Sequence, residues 1–190
     1  MANMKTAIIV HGRPDKEEYF DPKQPKPTEA HWLPWLKKGL EVKGFVVHIP
    51  AMPVPYESVY EEWKKVFEQH TVDNETVLIG HSRGGAFILH WLSEHDVHVG
   101  KVILVAPSIT PNHPVEHGFS EFTIDPNFVS KTQGVTVFYS TDDEEGILES
   151  VARIKAELPS CTFREFSNKG HFTAGDGVTE FPELLEEVLK

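Results

Sequence analysis

Gly80-His81-Ser82-Arg83-Gly84 spells G-x-S-x-G. Glycines on both sides of a serine allow a tight strained turn, where bulkier neighbours would clash with the strand entering it and the helix leaving it. A phosphate-cradling loop of similar composition calls for a lysine or a longer glycine run, and neither stands here. Ser82 is therefore the candidate nucleophile. A serine hydroxyl attacks poorly until a base takes its proton. The chain has 11 histidines, so position must choose among them. Gly170-His171-Phe172 lies between the last short apolar run and the final helical pattern, which makes His171 the candidate base. His48, in a strand pattern, and His90, in a helical one, are expected to be structural.

A third group should orient the imidazole and stabilise its charged form. Ser140-Thr141-Asp142-Asp143 ends a β-type run, and Asp143 is favoured over Asp142 as that acid. Glu144 and Glu145 suit the first turn of a following helix, where carboxylates meet the positive end of its dipole. The chain order Ser82, Asp143, His171 is that of the α/β-hydrolases and of neither major serine-protease fold. An oxyanion hole needs two backbone N–H groups. Arg83 supplies one, and the loop after the first strand supplies the other, from Arg13 or alternatively Gly12. Gly12, His81 and Trp32 are candidate pocket-lining residues. Arg13 and Arg83 would flank the oxyanion position, which suggests substrates with an acidic group. His113-Pro114-Val115-Glu116-His117 spells an inverted zinc-protease signature. Zinc needs both histidines on one helical face, and this segment is rich in turn formers. No metal and no cofactor is expected.

These groups must be positioned by an alternation of β-type runs and amphipathic helical patterns, which argues for a mostly parallel sheet. Strands are expected at Thr6–His11, 45–49, Thr76–Gly80, Lys101–Ala106, Val135–Tyr139 and Thr162–Phe166. Helices are expected near 29–43, from a Ser58/Glu61 capping box, near 83–94, along Ile147–Leu158 and from Pro182 onward. The last should turn Leu184, Leu185, Val188 and Leu189 inward. The four tryptophans are expected mainly in the core. The expected architecture is a three-layer α/β/α sandwich around about six strands, in one domain over 1–190. Ligands of such sheets bind beyond the carboxyl ends of the strands. Residues 13–30 and 107–133 are expected to cover the site as loops, leaving no large cap.

A length of 190 residues suits one domain with its own core. Lys plus Arg number 18 against 29 Asp plus Glu, a net charge of −11. That balance disfavours nucleic acid and anionic membrane surfaces. Cys161, the lone cysteine, excludes an internal disulfide and reads as a small buried hydrophobe. No run approaches the ~18 apolar residues of a membrane span, and the cytoplasm is the expected location.

His11-Gly12, His31-Trp32-Leu33-Pro34-Trp35-Leu36, Met52-Pro53, Gly80-His81-Ser82, Ser140-Thr141-Asp142-Asp143 and Gly170-His171-Phe172 stand in an order that resembles the retinoblastoma-binding-protein-nine-like, or YdeN-like, serine hydrolases. The resemblance spans essentially the whole chain. It implies a small, nearly capless α/β-hydrolase with Ser82 as nucleophile, Asp143 as acid and His171 as base. The chain departs from that pattern at Glu144-Glu145-Gly146, where the family often has proline and apolar residues. It also departs at Asp15–Lys26, a longer insertion placed to form a flap. The expected activity is hydrolysis of small carboxylic esters, or amides, through an acyl-enzyme. The alternative is a protein-interaction module on a hydrolase scaffold, with a protein partner in place of a small molecule.

Overall fold

The computed structural model describes residues 5–109, 118–119 and 122–190. Six parallel strands form one sheet in the order β2-β1-β3-β4-β5-β6. They are β1 (Thr6–Val10), β2 (Val46–His48), β3 (Thr76–His81), β4 (Val99–Val105), β5 (Thr132–Ser140) and β6 (Thr162–Phe166). The α-helices are α1 (Lys16–Phe20), α2 (Leu33–Val42), α3 (Tyr60–Phe67), α4 (Arg83–Glu94), α5 (Glu145–Glu157) and α6 (Pro182–Leu189), the last following β6.

Strand side chains alternate between the two faces of the sheet. Ala7 and Ile9 of β1 face Leu36 and Leu40 of α2 and Leu184 of α6 in one buried cluster. Ile8 and Val10 face Trp63 of α3, Phe87 of α4 and Val151 of α5 in the other. Both faces of the central strands are thus covered, which is why Ala7–Val10, Val77–Ile79 and Val102–Val105 read as unbroken apolar runs. This is the expected three-layer sandwich, with no large cap among the described residues.

Local chemistry departs from the sequence pattern in four places. Ser58 does not cap α3: its backbone turns to φ 54°, its hydroxyl donates to the Pro55 carbonyl at 2.8 Å, and Val59 takes the N-cap position. Leu189 is 41% exposed rather than inward, because α6 ends there and turns only Leu184 and Val188 fully into the core. Residues 13–30 are not purely loop, since they form α1 and a 3₁₀ turn at Pro27–Glu29. A second 3₁₀ turn, Phe128–Lys131, leads into a β5 that starts at Thr132, three residues before the expected Val135.

Cys161 is buried, and burial pushes its thiol up to about 11. Trp32, Trp63 and Trp91 are core residues. His90 stacks on Tyr60 and pairs with Glu94 at 3.1 Å, a structural placement.

Candidate active site

Ser82 connects β3 to α4 with φ 53° and ψ −116°, a backbone state rarely held by residues other than glycine. Two glycines make that turn possible. A Cβ on Gly80 would lie 2.6 Å from the Gly84 carbonyl oxygen, and one on Gly84 would lie 2.2 Å from that of Val10. The turn is also pinned outward: Ser82 N–H donates to Val105 O at 2.9 Å, and Ser82 O accepts Ser108 N–H at 3.1 Å. Strand β4 therefore fixes the serine from the side.

The other two candidates arrive from the far half of the sheet. The loop after β5 carries Asp143, whose side chain is fully buried, and the loop after β6 carries His171. His171 Nδ1–H donates to both Asp143 oxygens, at 3.0 and 3.1 Å. That fixes the tautomer and leaves Nε2 as the nitrogen with a free lone pair. Glu144 N–H also donates to Asp143 Oδ1 at 2.7 Å. Asp142, the alternative acid, does not face the imidazole. It accepts from the Ser140 hydroxyl, which holds its carboxyl below the ordinary range, and from Gly170 N–H at 3.4 Å.

Ser82 and His171 open into one cavity of about 430 Å³. Gly12, Arg13 and His81 line it too, with Tyr19 on the outer wall. Several residues of 13–30 line it, Arg13, Tyr19, Gln24 and Pro27 among them. The expected cover from 107–133 includes 110–117 and 120–121, which lie outside the described residues, as does the His113–His117 motif. Among the described residues no group of three or more His, Cys, Asp or Glu is arranged to hold a metal.

Two pocket expectations need correction. Trp32 does not line the cavity; it is wholly buried, edge-on to His81 and Phe181, and its neighbours His31 and Leu33 reach the cavity instead. The Arg83 side chain does not flank the site either. It is 4% exposed, lies over the Phe119 ring at 5.5 Å and reaches the Ser108 carbonyl at 3.5 Å, so only its backbone is presented at the start of α4. Arg13 remains on the cavity wall.

Histidines brace the site in neutral form. His81 Nε2–H donates to the His171 carbonyl at 2.8 Å, tying the residue before the serine to the base loop. Complete burial, with His171 and His31 nearby, holds His81 well below the usual imidazole range. His11 Nδ1–H donates to Gly12 O at 2.7 Å while Nε2 accepts Met52 N–H at 3.1 Å; burial pushes it down to about 4. His31 Nδ1 accepts Ala174 N–H at 3.1 Å.

Asp176 was not signalled by any motif. One of its oxygens accepts His171 N–H at 3.1 Å, Thr173 N–H at 3.0 Å and the Thr173 hydroxyl at 2.6 Å. Those bonds outweigh burial and hold its carboxyl below the ordinary range.

A family model described as "Serine hydrolase" matches residues 24–190. The putative hydrolase YdeN of Bacillus subtilis is 28% identical over 166 residues, covering 84% of this chain and 86% of that protein. Serine hydrolase RBBP9 of Rattus norvegicus is 27% identical over 163 residues, covering 83% of this chain and 84% of that protein. The crystal structure of the B. subtilis ydeN gene product superposes with a TM-score of 0.83 at 25% identity, covering 97% of each chain. No helix of the described residues is long and apolar enough to cross a membrane.

Proposed function

The chain belongs to the serine hydrolase family, and on that premise we propose that it cleaves small carboxylic esters, or amides, through an acyl-enzyme on Ser82. His171 takes the serine proton at Nε2 as the hydroxyl attacks the carbonyl carbon, and Asp143 stabilises the resulting imidazolium. The tetrahedral oxyanion accepts from the backbone N–H groups of Arg83 and of Arg13, with Gly12 the alternative to Arg13. His171 then returns the proton to the leaving oxygen or nitrogen, the carbonyl re-forms, and the leaving group departs. Water, deprotonated by His171, repeats the attack on the acyl-enzyme, and the acid leaves as Ser82 regains its proton. The proposed setting is the cytoplasm, and no cofactor enters the scheme.

The carrying observation is the His171 bond to both oxygens of buried Asp143, on the rim of the cavity that also holds strained Ser82. Ser82 Oγ makes no hydrogen bond among the described residues; such bonds are often long in empty sites and tighten around substrate. Ser82→Ala should abolish labelling by a fluorophosphonate and lower ester turnover at least about 10³-fold. Labelling of that variant at the wild-type rate would assign the nucleophile elsewhere.

A further inference from the structure

A second cavity of about 250 Å³ adjoins the first and shares His11, Tyr19, Gln24, Pro25 and Pro27 with it. The second cavity is a side lobe against that shared wall, and Tyr19 and Gln24 line both. The lobe is walled on one side by residues 24–28 and on the other by Ala51, Met52 and Pro55. Its lining includes neither Ser82 nor any residue of 171–175, so the nucleophile and the base both sit in the first cavity. Lys26 is its one formally charged lining residue, since His11 is neutral near pH 7 and bonded at both ring nitrogens. The Met52–His11 bond joins the far wall to the strand end that carries Gly12, so the lobe keeps a fixed position relative to the oxyanion side.

We propose that this lobe binds the acyl part of the substrate, and that the acyl part is an apolar group longer than acetyl. The inference rests on the hydrolase reading of Ser82. The leaving atom must lie within hydrogen-bond reach of His171 to receive its proton. With the leaving group on the His171 side, the acyl chain in this proposal runs away from it, towards the side of the cavity that shares His11, Tyr19 and Gln24 with the lobe. An apolar wall without fixed anions rewards each methylene removed from water, and a chain too short to reach it gains nothing.

The test is a series of p-nitrophenyl esters, from acetate to octanoate, beside a series of acetate esters with lengthening alcohols. From acetate to hexanoate kcat/KM should rise at least about tenfold, while lengthening the alcohol should bring no comparable rise. Ala51 is exposed on the lobe wall, and Ala51→Trp fills the lobe from its mouth. The hexanoate-to-acetate ratio should then collapse towards one; Thr28→Trp does the same from the opposite wall. A flat acyl series, or a ratio unchanged in both variants, overturns the proposal while leaving the hydrolase reading intact if acetate is still turned over. No turnover of any ester together with no fluorophosphonate labelling overturns both.

Discussion

Asp176 holds the base loop in shape. One carboxylate oxygen gathers two backbone N–H groups and a hydroxyl within 171–173, while Gly170 turns through φ 47° beside it. Under the proposed mechanism such a carboxylate sets where the imidazole points, which makes Asp176 a proposed positioning residue. Asp176→Ala should lower kcat about ten- to a hundredfold with KM little changed, and Asp176→Asn, which keeps one acceptor oxygen, should lower it less. Steady-state kinetics beside a thermal melt checks this. A fall explained entirely by unfolding, or one carried by KM alone, would remove the positioning role. Strand ends and chain order single out Ser82, Asp143 and His171 in the sequence, and the structure brings His171 onto Asp143 and into one cavity with Ser82. Asp176 is not singled out, because its bonds arise from a loop that curls back on itself, and nothing in linear spacing marks that curl. The inward turn of Trp32 is illegible for a related reason. Trp32 is the N-cap of α2, where neighbouring residues point in different directions, and only its packing against His81 and Phe181 turns it inward.

Among the elements, α4 is the one whose placement governs the site. Its first turn lies so close to β1 that Gly84 has no room for a methyl group. Gly84→Ala must push α4 away from the Val10 carbonyl and drag Ser82 with it. The expected cost is about 2–3 kcal/mol, read as a lower urea midpoint, together with loss of most ester turnover. A variant that keeps both would mean that the turn has slack the structure does not show. The strands and long helices were legible because a doubly covered sheet imposes continuous apolar runs and amphipathic helices impose a 3.6-residue stripe. The capping box at Ser58 and Glu61 was a false signal: the required residues are present, yet Ser58 bonds backward to Pro55 instead of forward into α3. Helix α1 gave no signal at all, because it has five residues and buries none of them.

For the molecule as a whole, buried histidines set the response to acid. His11 and His81 both lie below the ordinary imidazole value in the folded state. The unfolded chain binds their protons first, so stability falls as pH drops below about 6.5. For His11 the loss ends at its folded value of about 4, and the shift corresponds to about 3 kcal/mol. The carboxylates of Asp142, Asp176 and Glu187, held low by their hydrogen bonds, add a second loss further down, as pH falls through their folded values. Urea unfolding at a series of pH values should show a clear slope between about 6.5 and 4, and His11→Asn should flatten it. An equal slope in that variant would show that His11 does not carry this proton linkage.

The outer strands of the sheet have a consequence of another kind. One edge is β2, only three residues long, and the other is β6, five residues that include Arg164 and Glu165. Arg164 is engaged by Glu187, and Glu165 accepts the Tyr139 hydroxyl. An incoming strand from a second copy would find a ladder too short on one side and a charged one on the other, and each copy carries a net charge of −11. Such edges disfavour strand addition from a second copy, the step by which an apolar parallel sheet would template its own growth.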